Sequence, residues 1–246
     1  MSVPALELKD VKKRFGGIRA VDGVSLRVGA GDRVAVIGPN GAGKSTLFGL
    51  ISGELHPDEG DVLLEGRSLR GVSAQRRARL GLGRTFQTAR LFAGLTVREN
   101  MQFAWLAAGG RGESGVRDVV ALEEVQLGEG SLERPAGSLA QGERKRLELA
   151  MVLAGRPRLL LLDEPTAGMG PQERAAIMEL IVGAVQRRGL TMVFTEHDMD
   201  TVFSYAQRIV AMDRGKPIAD GTPEAVREDE RVRRVYLGAG LPASEG

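Results

Sequence analysis

Two kinds of apolar pattern divide the chain. Near the N-terminus apolar and polar positions alternate: Leu6 and Leu8, then Val24, Leu26 and Val28. A period of two puts these residues on one face of two short strands. Val34-Ala35-Val36-Ile37 is continuously apolar between Arg33 and Gly38, the pattern of a strand buried on both faces. A Gly-rich turn follows, then a helix starting near Lys44 with Leu47, Phe48, Leu50 and Ile51, and a further strand at Val62-Leu63-Leu64. From Gln87 to Arg156 the texture is helical. Val97 to Leu106, Arg117 to Leu127 and Gly142 to Ala154 carry helical spacing, and a Gly-rich loop from Ala108 to Gly115 separates the first two.

The alternation of strand and helix then resumes. Leu159 to Leu162 reads as a buried strand, Pro171 to Arg188 as a helix and Thr191 to Phe194 as a strand. Arg208 to Met212 and Pro217 to Ala219 form an expected hairpin through Asp213-Arg214-Gly215-Lys216. One charged tail helix is expected from Ala225 to Tyr236, and no internal repeat is visible. The pattern predicts an α/β core with a mixed or parallel sheet, an N-terminal antiparallel β region and an inserted helical lobe. Its expected boundaries are 1–86 and 157–246 for the core and 87–156 for the lobe.

Composition narrows the class. The 246 residues are 42% hydrophobic and 27% charged, with a net charge of +2, which suits one globular α/β domain. Basic and acidic residues are interspersed, so no nucleic-acid partner is expected. The absence of cysteine excludes disulfides and thiolate chemistry and fits a reducing compartment. No apolar run approaches the roughly 20 residues of a spanning helix, and the N-terminus lacks the basic and apolar regions of a signal peptide. The chain is expected to be soluble, with any role at a membrane arising through a partner.

Gly38-Pro39-Asn40-Gly41-Ala42-Gly43-Lys44-Ser45 fits G-x-x-x-x-G-K-[ST], with Thr46 following. The glycines let the backbone wrap an anion, and the N–H groups at the helix start point at phosphates. Lys44 adds charge for the β- and γ-phosphates, and Ser45 offers a hydroxyl to Mg²⁺. The strand–loop–helix context makes this the phosphate cradle of a P-loop nucleotide triphosphatase. Asp163 ends an apolar strand and Glu164 follows it. A parallel strand delivers its C-terminal residue to the ligand crevice, so Asp163 is a candidate for holding Mg²⁺ and Glu164 for polarising the attacking water. His197, in Thr195-Glu196-His197-Asp198, follows another buried strand and is a candidate for reaching the γ-phosphate. His56 is read as a loop residue.

Further motifs resemble one family, the ABC transporter ATP-binding subunits. Leu139-Ala140-Gln141-Gly142-Glu143-Arg144 resembles their signature segment in degenerate form. Gln87, in Arg84-Thr85-Phe86-Gln87, resembles the Q-loop. Ala167-Gly168-Met169-Gly170 resembles the D-loop, His197 takes the H-loop place and Phe15 matches the aromatic that stacks on adenine. The likeness runs over nearly the whole chain, in the family's order. It implies ATP and Mg²⁺ as cofactors, with Ser45, Gln87 and Asp163 toward the metal and Glu164 and His197 catalytic. It also implies a head-to-tail dimer with a second ATPase, in which Leu139 to Glu143 of one subunit caps the ATP held by the other. Ala140 departs from the family's Ser and removes one hydroxyl contact.

A finer resemblance is to the ATPases of branched-chain or hydrophobic amino acid importers. It rests on the Arg84 to Gln87 phrase, Leu91-Phe92, Leu95-Thr96-Val97-Arg98-Glu99-Asn100, Thr195 to Met199 and Ile218-Ala219-Asp220-Gly221-Thr222-Pro223. It implies transmembrane permease subunits and a solute-binding protein as partners, and a peripheral place on the cytoplasmic face of the bacterial plasma membrane. Urea or amide import and lipopolysaccharide export are carried by related groups. Soluble ABC-type ATPases of ribosomes or DNA repair stay open as another class, although those carry two cassettes or a long coiled coil. A P-loop kinase has no use for the signature segment.

Overall fold

The computed structural model describes residues 3–85, 91–112 and 121–236. They fall into two compact units, one of residues 1–71 with 193–246 and one of residues 72–192.

The first unit opens with a long hairpin of β1 (Leu6–Phe15) and β2 (Ile18–Val28). The register pairs Leu6 with Val28 and Leu8 with Leu26, then shifts before Val11 meets Val24. Asp10 sits at this bulge with φ 46°. Its backbone N–H donates to Ser25 Oγ at 3.0 Å. The extra residue lets Leu6, Leu8 and Val11 all bury although their spacing is not even. The strands are thus longer than the expected short ones, because the alternation is interrupted where the bulge absorbs a residue. β3 (Arg33–Ile37) follows, and Val34 to Ile37 are fully buried, as the unbroken apolar run requires. The helix α1 (Lys44–Ser52) leads to β4 (Glu59–Leu64) and β5 (Arg67–Ser68), which complete a four-stranded sheet in the order β2-β1-β4-β5.

The second unit begins with α2 (Ala74–Arg79), capped by Ser73 Oγ, and β6 (Leu82–Thr85). α3 (Val97–Ala107) has a full capping box between Thr96 and Glu99. α4 (Gln141–Ala154) opens at the signature segment. β7 (Leu159–Asp163) pairs in parallel with β6, Arg84 lying opposite Leu161. Its four leucines are wholly buried, each worth about 1.5–3 kcal/mol of transfer free energy. α5 (Pro171–Arg188) has Pro at its start and Gly189 in the left-handed conformation at its end. Of the helix expected over 117–127, residues 121–124 are helical and Gln126 turns out with φ 54°; residues 117–120 lie outside the described residues.

The wholly buried β8 (Thr191–Thr195) carries the chain from the second unit back to the first. There α6 (Met199–Tyr205) follows, then β9 (Arg208–Asp213) and β10 (Lys216–Gly221). β9 pairs in parallel with β3 and antiparallel with β10. Arg214 and Gly215 both have positive φ, the backbone of a two-residue type I′ turn. The tail corrects the single expected helix. It is two helices, α7 (Pro223–Glu228) and α8 (Glu230–Tyr236), broken at Asp229. Asp229 is extended, and its Oδ1 accepts the Arg231 backbone N–H at 2.8 Å. The Arg231 side chain on the same carboxylate pulls its pKa down to about 2. The residue that looked like one more helical charge is a turn that starts the second helix.

Candidate functional site

In the first unit β3 ends at Ile37, and Gly38 to Gly43 form the loop that enters α1. Two glycines are required by their surroundings. A Cβ on Gly38 meets Met212 O and Ala42 Cβ at 2.4 and 2.8 Å, and one on Gly43 meets Ala20 O at 2.2 Å. Gly43 also has φ 102°. The loop is therefore pressed between β2 and the β9–β10 hairpin, and the Gly215 N–H donates to Ala42 O at 2.9 Å. The buried Lys44 ammonium donates to Gly38 O at 2.6 Å and Pro39 O at 3.1 Å, so it lies across the mouth of the loop. No side chain caps α1 and no acid occupies its first turn, which leaves the helix start partially positive toward an anion. Asn40, Gly41 and Ser45 are exposed, and Pro39 and Thr46 half-buried, on this same loop and turn.

Phe15 stands at the end of β1, 48% exposed, with Lys13 Nζ 5.7 Å from its ring centre. An aromatic face left open beside the Gly16-Gly17 turn is suited to stacking on a base. His197 is exposed directly after β8, and its neighbour Asp198 caps α6 by accepting from Thr201 N–H at 2.8 Å. That cap fixes the turn from which His197 projects.

The second unit carries the acids. Asp163 closes β7 and is half-buried. Glu164 has φ 48°, a left-handed backbone that costs a non-glycine residue about 1 kcal/mol. Its carbonyl accepts the Ala167 N–H at 3.1 Å, opening the turn through Gly168, whose φ is 77°. Gln141 Nε2 lies 3.2 Å from where a Gly168 Cβ would stand, and Glu173 Oε1 2.4 Å from where one on Gly142 would stand. The signature segment and the loop after Glu164 are thus packed together within this unit. Gln87 lies outside the described residues.

The signature helix starts on a half-formed cap. Glu143 Oε2 accepts the Ala140 N–H at 2.9 Å, but Ala140 has no oxygen with which to return the bond. Glu143 is braced by Arg134 at 2.7 Å, and this guanidinium, with the Ala140 N–H, holds its carboxyl below the usual range. The brace is complete above the ordinary carboxylate pKa and is lost only as pH falls through the depressed value. Leu139 is buried, and Ala140 and Gln141 are exposed. Ala140→Ser is expected to complete the capping box and stabilise the unit by about 1 kcal/mol. A thermal melt of the variant should shift up by about 2–4 °C, and an unchanged melt counts against the half-cap.

Several contributors were not visible in the sequence. Ala20 and Gly215 act through backbone atoms and leave no residue-type signal. Arg134 lies outside every motif, and Arg84, although inside the Q-loop phrase, carries no role in it.

The first unit thus has the loop geometry of a nucleoside triphosphate cradle, and the second, taken by itself, has two acids at the end of a parallel strand. The ABC transporter family matches residues 21–167. The description "Branched-chain amino acid ATP-binding cassette transporter" matches residues 216–241. The chain therefore belongs to the ABC transporter ATP-binding cassettes. It is 41% identical, over 97% of its length and 99% of the relative's, to the high-affinity branched-chain amino acid transport ATP-binding protein BraF of Pseudomonas aeruginosa. Among solved structures it is similar to MJ1267 in its ADP conformation, an ATP-binding cassette of an ABC transporter. The TM-score there is 0.86 and the identity 31%, over 97% of this chain and 99% of that one. The dimeric bacterial cassette MJ0796 gives a TM-score of 0.79 and 26% identity, over 89% and 98%. The α/β P-loop fold expected from the sequence is the fold of these neighbours, and the chain is an ATPase of this family.

Proposed function

We propose that this ATPase energises import of branched-chain or hydrophobic amino acids, paired head-to-tail with a second cassette beneath two permease subunits. The observation that carries this reading is a complete phosphate cradle in a chain alignable end to end with a branched-chain amino acid transport ATPase. A solute-binding protein belongs to the same proposal, as does a peripheral place on the cytoplasmic face of the membrane. Among the described residues no helix is long and apolar enough to cross a membrane. We retain 87–156 as the helical signature subdomain, set in a core of 1–86 and 157–246.

In this reading Gly38 to Thr46 hold the phosphates, and Phe15 stacks on adenine. The donor set suits Mg²⁺. A carboxylate and a hydroxyl are hard oxygen donors, the kind Mg²⁺ takes together with phosphate and water. Ser45, Gln87 and Asp163 would hold it, Gln87 on the sequence resemblance alone. When bound, the ion would supply positive charge that offsets the negative charge of the phosphates. Glu164 accepts the proton of the attacking water, and His197 keeps that water and the γ-phosphate in line. Leu139, Ala140, Gln141, Gly142 and Glu143 cap the ATP of the facing cassette through the helix start. The missing Ala140 hydroxyl removes a bond worth roughly 1.5–3 kcal/mol.

Docking to a permease is supported by an apolar cluster on the second unit. Phe92 and Phe103 meet at 4.7 Å between ring centres, and both remain about half exposed, with Leu106 one turn along α3. Phe103→Asp is expected to lower transport and permease co-purification by about tenfold or more, while ATP affinity of the isolated chain stays unchanged. Retained co-purification rejects this surface. Reconstitution with the permease subunits and solute receptor should give ATP-dependent uptake of leucine, isoleucine or valine. Uptake of urea or amides instead rejects the cargo assignment.

A further inference from the structure

Arg84 belongs to no recognised motif function, yet its side chain reaches Asp163. The parallel register sets Arg84 opposite Leu161, and Asp163 lies two residues beyond Leu161, on the same face. The guanidinium Nη2 is 3.6 Å from Asp163 Oδ2, with only 11% and 15% of the two side chains exposed. Arg84 also lines a cavity of about 210 Å³, walled by Leu82, Met151 and Val152, together with Glu148. Glu148 is itself bonded to Lys145 at 2.9 Å, both deeply buried in α4. A cation in such a setting requires a nearby anion, and Asp163 supplies one.

We infer that Arg84 is a counter-ion to Asp163 that competes with the metal of the Mg-nucleotide for that carboxylate. It is a positioning residue that sets how strongly nucleotide binding depends on Mg²⁺. The inference rests on the proposed role of Asp163. Its physical basis is simple. A carboxylate oxygen engaged by a guanidinium has less to offer a divalent ion, and the fixed positive charge opposes the ion's approach. The buried surroundings keep solvent from screening either effect.

The test is the affinity for a fluorescent ATP analogue, measured at equilibrium in Mg²⁺ and again in EDTA. Arg84→Gln is expected to tighten binding in Mg²⁺ on the order of tenfold and to leave binding in EDTA unchanged. Arg84→Lys retains the charge and should restore the parental Mg²⁺ dependence. If Arg84→Gln fails to fold, Arg84→Met, uncharged and unbranched, takes its place. Mg²⁺ affinity unchanged or weakened, or both affinities moving together as a purely structural defect would move them, overturns the inference. Asp163→Asn separates the two levels. If it leaves the Mg²⁺ dependence intact, the role of Asp163 is wrong. If it abolishes the dependence while Arg84→Gln does nothing, only the competition is wrong.

Discussion

Replacing Glu164 by Gln is expected to lower ATP turnover by about 10²–10⁴-fold, the usual contribution of a positioned general base. Binding of Mg-ATP should survive and the closed dimer should accumulate. Backbone geometry helps to place the carboxylate. It follows the buried leucines of β7, takes φ 48°, and its carbonyl is tied to Ala167 N–H at 3.1 Å. Gln occupies the same volume and accepts the same backbone, so the change removes the base and little else. Phosphate release at saturating ATP reads the turnover, and equilibrium nucleotide binding reads the rest. Undiminished turnover removes Glu164 from the role of base.

Gly43→Ala is expected to abolish nucleotide binding, weakening it by at least about 100-fold, a loss of roughly 2.7 kcal/mol or more. The new methyl would stand 2.2 Å from Ala20 O and 3.4 Å from Gly215 Cα, both backbone atoms, at φ 102°. Neither neighbour can swing aside, so the loop or β2 must shift, and the N–H groups lose their common focus. Gly41→Ala is the matched control. Gly41 also has positive φ, at 81°, but a Cβ there meets nothing within 4 Å. It should cost only about 1 kcal/mol of backbone strain, with the cradle still formed. Equal losses in the two variants, read by nucleotide titration and thermal melts, would show that left-handed strain rather than the close approach to Ala20 is decisive.

What could be read in the chain beforehand was what is local. The unbroken apolar runs at Val34 to Ile37 and Leu159 to Leu162 are wholly buried strands. The Gly-rich loop lies between a strand and a helix, as its motif requires. Less local features escaped. α2 is a short Arg-rich helix whose Arg77 is 1% exposed and bonded through Nε to Val72 O at 3.0 Å, so a charge sits where periodicity expects an apolar residue. The left-handed backbone of Glu164 has no residue-type signature, and that of Asp10 only a weak one, since Asp enters this region more readily than most residues other than glycine. The break at Asp229 turns on one side chain folding back to a backbone N–H two residues on. The Arg84–Asp163 pair depends on strand register, which no single segment encodes.

The capping of ATP by a facing cassette can be tested by crosslinking, because the chain has no cysteine of its own. Asn40→Cys and Gln141→Cys, both at exposed positions, are introduced together in the Glu164→Gln background. Oxidation is then compared with and without Mg-ATP, for the chain alone and for the assembled transporter. A covalent dimer that needs both cysteines and Mg-ATP is the expected result. If Mg-ATP yields no such dimer in either setting, the facing arrangement of cradle and signature segment is contradicted.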